Sequence, residues 1–300
     1  DDQHVFLIGR PPVGEFLAYV RMLAVDAGSH DEGELVAEWR AANDHVRQLE
    51  WSEPGIADNP PLLPLPSELE PLVRRMAEQP YFRRAFQYVP FELAMVELDR
   101  LVVFQKHINL AQVHELRQTL PPEPSPEEVF HLCFPMDREP PVVQITQNAH
   151  NSFTFVSKSK DFRYVEPVVL RPDQVDGYRS MGPVMALLGI VVGYGANFLN
   201  AWHIENRIVL SNGSHRAFAL REHGITHVPC LVQKVTRREE LELVGTDVVS
   251  AHPDRYLTNP RPPMLKDYFD PKLRKILNVA RKHRLVTLSF GVDTTEIPAQ

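Results

Sequence analysis

Cysteine is scarce in this chain of 300 residues: only Cys133 and Cys230 occur. Two thiols cannot build the disulfide framework of a small secreted domain, so the expectation is a reducing compartment, the cytoplasm, with both sulfurs free. An excess of positive charge is also lacking. The formal net charge is −7, and residues 1–95 hold 16 Asp and Glu against 8 Lys and Arg, which leaves the remainder near +1. Nothing in that balance resembles the basic footprint of a nucleic-acid-binding protein, so nucleic acid is a disfavoured partner. Long apolar runs are missing too. Residues 180–204 carry no charge, but the continuous apolar core, Val184 to Tyr194, is about half of the roughly 20 residues that a spanning helix needs. That segment is expected to be buried or to form a lid, with no membrane partner. No Arg-rich or apolar leader opens the sequence as given, and its start at Asp1 leaves room for residues upstream.

Proline, by contrast, is abundant at 27 residues, in a composition that is 43% hydrophobic and 24% charged, which is that of a folded chain with one or two proper cores. Its pattern suggests three parts. Residues 1–90 read as an acidic, mostly helical lobe. A short strand, His4 to Gly9, is broken by Arg10-Pro11-Pro12. Apolar residues at three- and four-residue spacing then predict helices from Val13 and over Glu32 to Trp51. Asn59 to Pro71 has too few amide hydrogens for a helix or central strand and is expected to be a stiff connector.

From about Pro90 to residue 235 the pattern is mixed α and β. Met95 to Gln105 reads as a strand, Asn109 can cap a helix over Leu110 to Leu120, and Val142 to Gln147 with Ser152 to Ser159 reads as a hairpin. Residues 236–300 are expected to be a helical extension. Within it Lys272 to Leu285 places Leu273, Ile276, Leu277 and Ala280 on one face of a basic amphipathic helix.

The most informative text is RIVLSNGSHRAFALREHGITHVPCLVQ, Arg207 to Gln233. A β-branched run meets Asn212-Gly213, a helix-forming stretch opens at Ser214 and closes at Gly224, and a second strand follows. Asn-Gly is common in hairpins, but here the turn delivers the chain into a helix N-terminus, whose free amides and positive dipole end attract anions. Gly213 allows close approach, Ser214 offers a hydroxyl, and His215 and Arg216 add donors, a set suited to phosphate. The alternative is that His215 and Arg216 satisfy groups of the protein itself. Thirteen histidines do not make a metal site here, because His215, His223 and His227 do not share a helix face.

Asn212-Gly213-Ser214-His215-Arg216, Ala217, Ala219-Leu220, Gly224 and Val228-Pro229 together resemble the ParB/sulfiredoxin superfamily. The resemblance implies an α+β, mixed-sheet domain over residues 91–235 that binds the phosphates of ATP or another NTP, with Mg2+. It implies hydrolysis, or phosphoryl transfer to an unknown small acceptor, possible self-association included. Ser214 stands where sulfiredoxins carry their catalytic Cys, and the basic helix-turn-helix of the partition proteins is not evident. The alternative is a non-catalytic, nucleotide-switched or DNA-associated module. For catalysis His215 would donate to an oxygen gaining charge, and Glu97, Asp99 or Glu205, at strand flanks, would supply a carboxylate. Gln105 and His107 are expected toward the nucleotide.

Overall fold

A computed structural model of the chain describes residues 1–136, 139–159, 161–177, 182–241 and 247–297. It is an α+β protein whose chain forms two compact units. The first joins Asp1–Asp137 to Ala196–Arg281, and the second joins Arg138–Gly195 to Lys282–Gln300. The expected division into 1–90, 91–235 and 236–300 is therefore not the one found, because each unit is assembled from two stretches that are far apart in sequence.

Its central sheet is four-stranded, in the order β2 (Phe91–Glu97), β10 (His227–Val235), β8 (Asn200–Ile204), β9 (Arg207–Asn212). β10 is antiparallel to β2 and parallel to β8, and β8 and β9 form an antiparallel hairpin. Buried Val, Ile and Leu run along these strands because helices pack on them. The proline-rich connector reaches the β2 edge, where Leu63 exchanges two backbone hydrogen bonds with Met95 at 3.1 and 2.8 Å. A segment poor in amides thus covers an otherwise open edge.

A second sheet sets β1 (Asp2–Leu7) between β11 (Arg274–Val279) and β3 (His107–Asn109). The helices α1 (Val13–Leu23) and α2 (Glu32–Ser52) pack Phe16, Val20, Leu35, Ala42 and Val46 with Phe6 and Leu277 in one core. Asp31 caps α2, accepting from the Glu34 amide at 2.9 Å. The amino-terminal helices are accordingly not a lobe of their own.

The basic carboxy-terminal helix is also corrected: Lys272 to Leu285 holds β11, a break, and the start of β12 (Arg284–Ser289). Leu273, Leu277 and Val279 are buried. That spacing satisfies a helical period and, from Leu277 to Val279, a strand period; pairing with β1 across the whole register decides it.

In the second unit β12, β5 (Ser152–Ser157) and β4 (Val143–Ala149) form one sheet, with the expected β4–β5 hairpin. β6 (Arg163–Leu170) and β7 (Leu187–Gly193) form a separate two-stranded ribbon. The charge-free stretch thus holds two strands, β7 and β8, and no helix among its described residues; the β7 cross-strand pairs Val169–Leu188 and Pro167–Ile190 are exposed, whereas Phe198, Leu199, Ala201, Trp202 and Ile204 are buried as expected. The first residues of that stretch, 180 and 181, lie outside the described residues. Among the described residues no helix is long and apolar enough to cross a membrane.

Candidate functional site

The segment Arg207 to Gln233 folds as strand, turn, helix, strand. β9 ends at Asn212, Gly213 takes φ +98° and ψ 20°, and α7 (Ser214–Glu222) begins at once. An L side chain at Gly213 would be strained by that φ, and its Cβ would stand 3.1 Å from Leu199 Cγ and 3.3 Å from Arg216 Nη2. Gly213 offers no capping side chain. The first i−4 bond of α7 is Ala217 N–H to Gly213 O, 2.8 Å. The amides of Ser214, His215 and Arg216 therefore have no acceptor within the helix, and they face the positive end of its dipole. Gly224, at φ +90°, turns the chain from α7 toward β10.

The side chains of the turn are arranged differently from the expectation. Arg216 is 5% exposed and folds inward. Its Nη1 donates to Cys133 O at 2.8 Å and Asn197 O at 2.6 Å, and Nη2 donates to Asn197 Oδ1 at 2.9 Å. The guanidinium thus holds the protein's own backbone together, and Arg216 as a phosphate ligand is corrected. His215 accepts through Nε2 the Asn109 amide hydrogen at 3.0 Å. β3 is an edge strand whose other side pairs with β1, so His215 satisfies an amide that no neighbouring strand reaches. That bond requires an unprotonated Nε2, and the hydrogen of the neutral ring is then on Nδ1. His215 as a donor acting through Nε2 is corrected for the same reason.

Asn109 joins three elements. Besides its amide bond to His215, it caps α5 (Leu110–Gln118) through Oδ1, from Ala111 N at 2.8 Å and Gln112 N at 3.3 Å, and Nδ2 donates to Asp2 Oδ2 at 2.9 Å. Asp2 in turn accepts from Arg281 Nε at 3.0 Å and Nη2 at 2.7 Å. The sequence signalled Asn109 as a cap, but nothing local to Asp2 signals that it supports the β3–α7 junction.

Gln105 and His107 precede that junction. Gln105 Nε2 donates to His107 O at 3.3 Å, while the carbonyl of Gln105 accepts the Tyr268 hydroxyl. His107 stacks on His4 with centroids 5.1 Å apart and packs on Tyr19 at 5.2 Å. The His107 ring therefore belongs to an aromatic cluster, and burial pushes the Tyr19 hydroxyl up to about 12.

None of the three expected carboxylates reaches the start of α7. Asp99 pairs with Arg221 at 2.5 and 3.2 Å, in the last turn of the helix, about 10 Å along its axis from Ser214. Glu97 stands opposite His227, where β10 begins after α7 has ended. Glu205 occupies the β8–β9 turn, paired with Arg238 at 2.7 Å, at the far end of β9 and roughly 20 Å from Gly213. A strand flank identified them in sequence, but each flank is the wrong one. Among the described residues no three His, Cys, Asp or Glu side chains group as metal ligands.

What remains at the turn is main-chain geometry, a left-handed glycine opening α7, together with the Ser214 hydroxyl. The chain matches no protein-family model, no curated protein and no solved structure.

Proposed function

We propose that this chain is a ParB/sulfiredoxin-like nucleotide-binding protein that holds the phosphates of ATP or another NTP at the start of α7, and that binding, rather than phosphoryl transfer, is its primary activity. The observation that carries the reading is Gly213 in the left-handed region, delivering β9 into α7 with no side-chain cap in the way. The binding reading is favoured over the kinase or hydrolase because Glu97, Asp99 and Glu205 lie at other ends of their elements. Mg2+ would then arrive on the nucleotide, held by its phosphates and water, since none of those carboxylates can ligate it at the turn. The nucleotide would act as a switch on whatever this domain contacts.

The experiment is calorimetric titration with each NTP and Mg2+, paired with product analysis, on wild type and Ser214→Asp. A carboxylate in the first turn favours the helix by about 0.3–1 kcal/mol, so folding is retained, while it repels a phosphate at the same amides. Binding weakened at least tenfold in Ser214→Asp, without diphosphate release by wild type, supports the proposal. Equal affinity in the two proteins, or no binding by wild type at millimolar NTP, refutes it.

A further inference from the structure

A cleft of about 530 Å3 opens in the first unit, where the end of β1 crosses α2 and meets the segment after Asp254. The crossing is close. Gly9, at φ +84°, lies so near α2 that a Cβ there would stand 2.6 Å from the Ala42 carbonyl carbon, and Asn43 Nδ2 donates to Gly9 O at 2.7 Å. Arg10 follows directly and lines the cleft.

The Arg10 side chain is only 9% exposed. Nη1 donates to Arg261 O at 2.6 Å, but Nε and Nη2 make no hydrogen bond, although Nη2 lies 3.2 Å from Asp267 Oδ2. Asp267 is already held by Arg261, with Nη2 to Oδ1 at 2.6 Å. Glu53 accepts from Arg261 Nε and Lys266 Nζ, each at 2.8 Å. Three cations thus share two carboxylates. Burial, set against Asp267, brings the Arg10 guanidinium down to about 10.

The opposite wall is one turn of π-helix, Asp254–Thr258, closed by the Asn259 amide donating to Asp254 O at 2.9 Å. Such turns are uncommon and frequent at functional sites. This one brings Arg255 into the cleft half-buried, and among the described residues its guanidinium has no hydrogen-bond acceptor or ion-pair partner. Neighbouring Asp254 is exposed and 3.8 Å from Arg238. Glu50 lines the cleft with one oxygen taken by Asn259 Nδ2, at 3.1 Å. Arg10, Arg255, Arg261 and Lys266 face Glu50, Glu53, Asp267 and the exposed Asp254, so the charges match in number, and what marks the cleft is that, among the described residues, the Arg255 guanidinium and Arg10 Nε and Nη2 have no hydrogen-bond acceptor.

We propose that this cleft binds the oxyanion head, phosphate or carboxylate, of a small molecule, with Arg255 as the contacting cation and the Arg10–Asp267–Arg261 cluster behind it. A volume of this size suits a small organic ligand. The site shares no residue with the α7 turn and does not depend on the reading given for it.

The test titrates the full chain with inorganic phosphate, with acetate as the carboxylate arm and chloride at matched ionic strength as control, following the unfolding midpoint and the heat of binding. Wild type should be stabilised by phosphate or acetate beyond chloride, and Arg255→Gln should weaken that binding at least about tenfold, as loss of a charge-assisted contact implies. Arg255→Lys should restore part of it, which separates lost contact from lost folding. Stronger binding of phosphate assigns a phosphoryl head, and stronger binding of acetate assigns a carboxylate. Because phosphate can also reach the α7 turn, the Arg255-dependent part should persist in Ser214→Asp. Stabilisation no greater than with chloride, or equal affinity in wild type and Arg255→Gln, overturns the proposal.

Discussion

Replacing Arg216 with Met separates a structural guanidinium from a phosphate ligand. The side chain makes three charge-assisted hydrogen bonds, to Cys133 O, Asn197 O and Asn197 Oδ1. Bonds of that kind contribute about 1.5–3 kcal/mol each when a partner is removed. The sum is reduced by two features. Asn197 is exposed, so water can replace the arginine at both of its oxygens, and Cys133 O keeps the Leu199 amide at 2.8 Å. The expected loss is therefore about 2–3 kcal/mol, which for a unit of this size lowers the unfolding midpoint by roughly 5–10 °C. Urea denaturation followed by tryptophan fluorescence measures the first quantity, and NTP titration below the transition measures ligand affinity in the same variant. Stability should fall while affinity changes less than about threefold, an energy under 0.7 kcal/mol. The opposite pattern, intact stability with affinity down tenfold or more, would refute the inward assignment of Arg216.

Two further measurements probe buried chemistry. Burial pushes the Cys133 thiol up to about 12 and raises that of Cys230 well above the ordinary value, so neither is a thiolate at pH 8. A chromogenic disulfide should find no reactive thiol in the native protein and two in denaturant; rapid native labelling would overturn this. The hydrogen bonds from Arg281, against the effect of burial and with help from Asn109, hold the Asp2 carboxyl below its usual range. A lowered carboxyl contributes stability that is complete above the unfolded value, about 4, and fades as pH falls through the lowered value. Asp2→Asn should thus be less stable than wild type at pH 7, with the gap closing below about pH 4. A gap that stays constant through that range would refute the coupling.

The local geometry of the turn was legible because it is set by neighbours in sequence. Asn212-Gly213 before a helix-forming stretch, and Gly224 after it, need no distant partner to specify a left-handed entry and exit. The direction of each side chain was not, because it is decided by atoms far away along the chain. Arg216 turns inward because Cys133 and Asn197 present carbonyls 83 and 19 residues earlier, and His215 turns to Asn109, 106 residues earlier. A residue type that suits phosphate suits a backbone carbonyl or amide equally well. Sequence therefore identified the strand, turn and helix of this segment and assigned its side chains to partners other than those they have in the fold. The carboxylates failed for a related reason: lying beside a strand end does not say which end of a helix that strand flanks.

The domain boundaries illustrate the same limit at larger scale. Proline-rich text near residue 60 and the change of pattern near Pro90 are real features of composition, yet neither separates bodies. β1 pairs with β11 from Asp2↔Val279 to Leu7↔Arg274, so the two sequence extremes of the first unit lie on adjacent strands. Between them the chain leaves that unit after residue 137 and returns at Ala196. Hydrophobic periodicity reports the face that an element buries, not the strand against which it is buried. Lys272 to Leu285 shows this most directly: its apolar spacing fits a helix, and only the open edge of β1 makes it a strand. The Arg10 cleft arises from the same long-range assembly, since its walls come from residues 9–50 and 254–263. Arg10 reads in sequence as the residue that ends a strand before two prolines. Arg255 has no motif around it. They become a paired feature only when β1, α2 and the π-helical turn are brought together, which is why the binding capacity proposed for them rests on burial and on guanidinium hydrogens without an acceptor rather than on any signature.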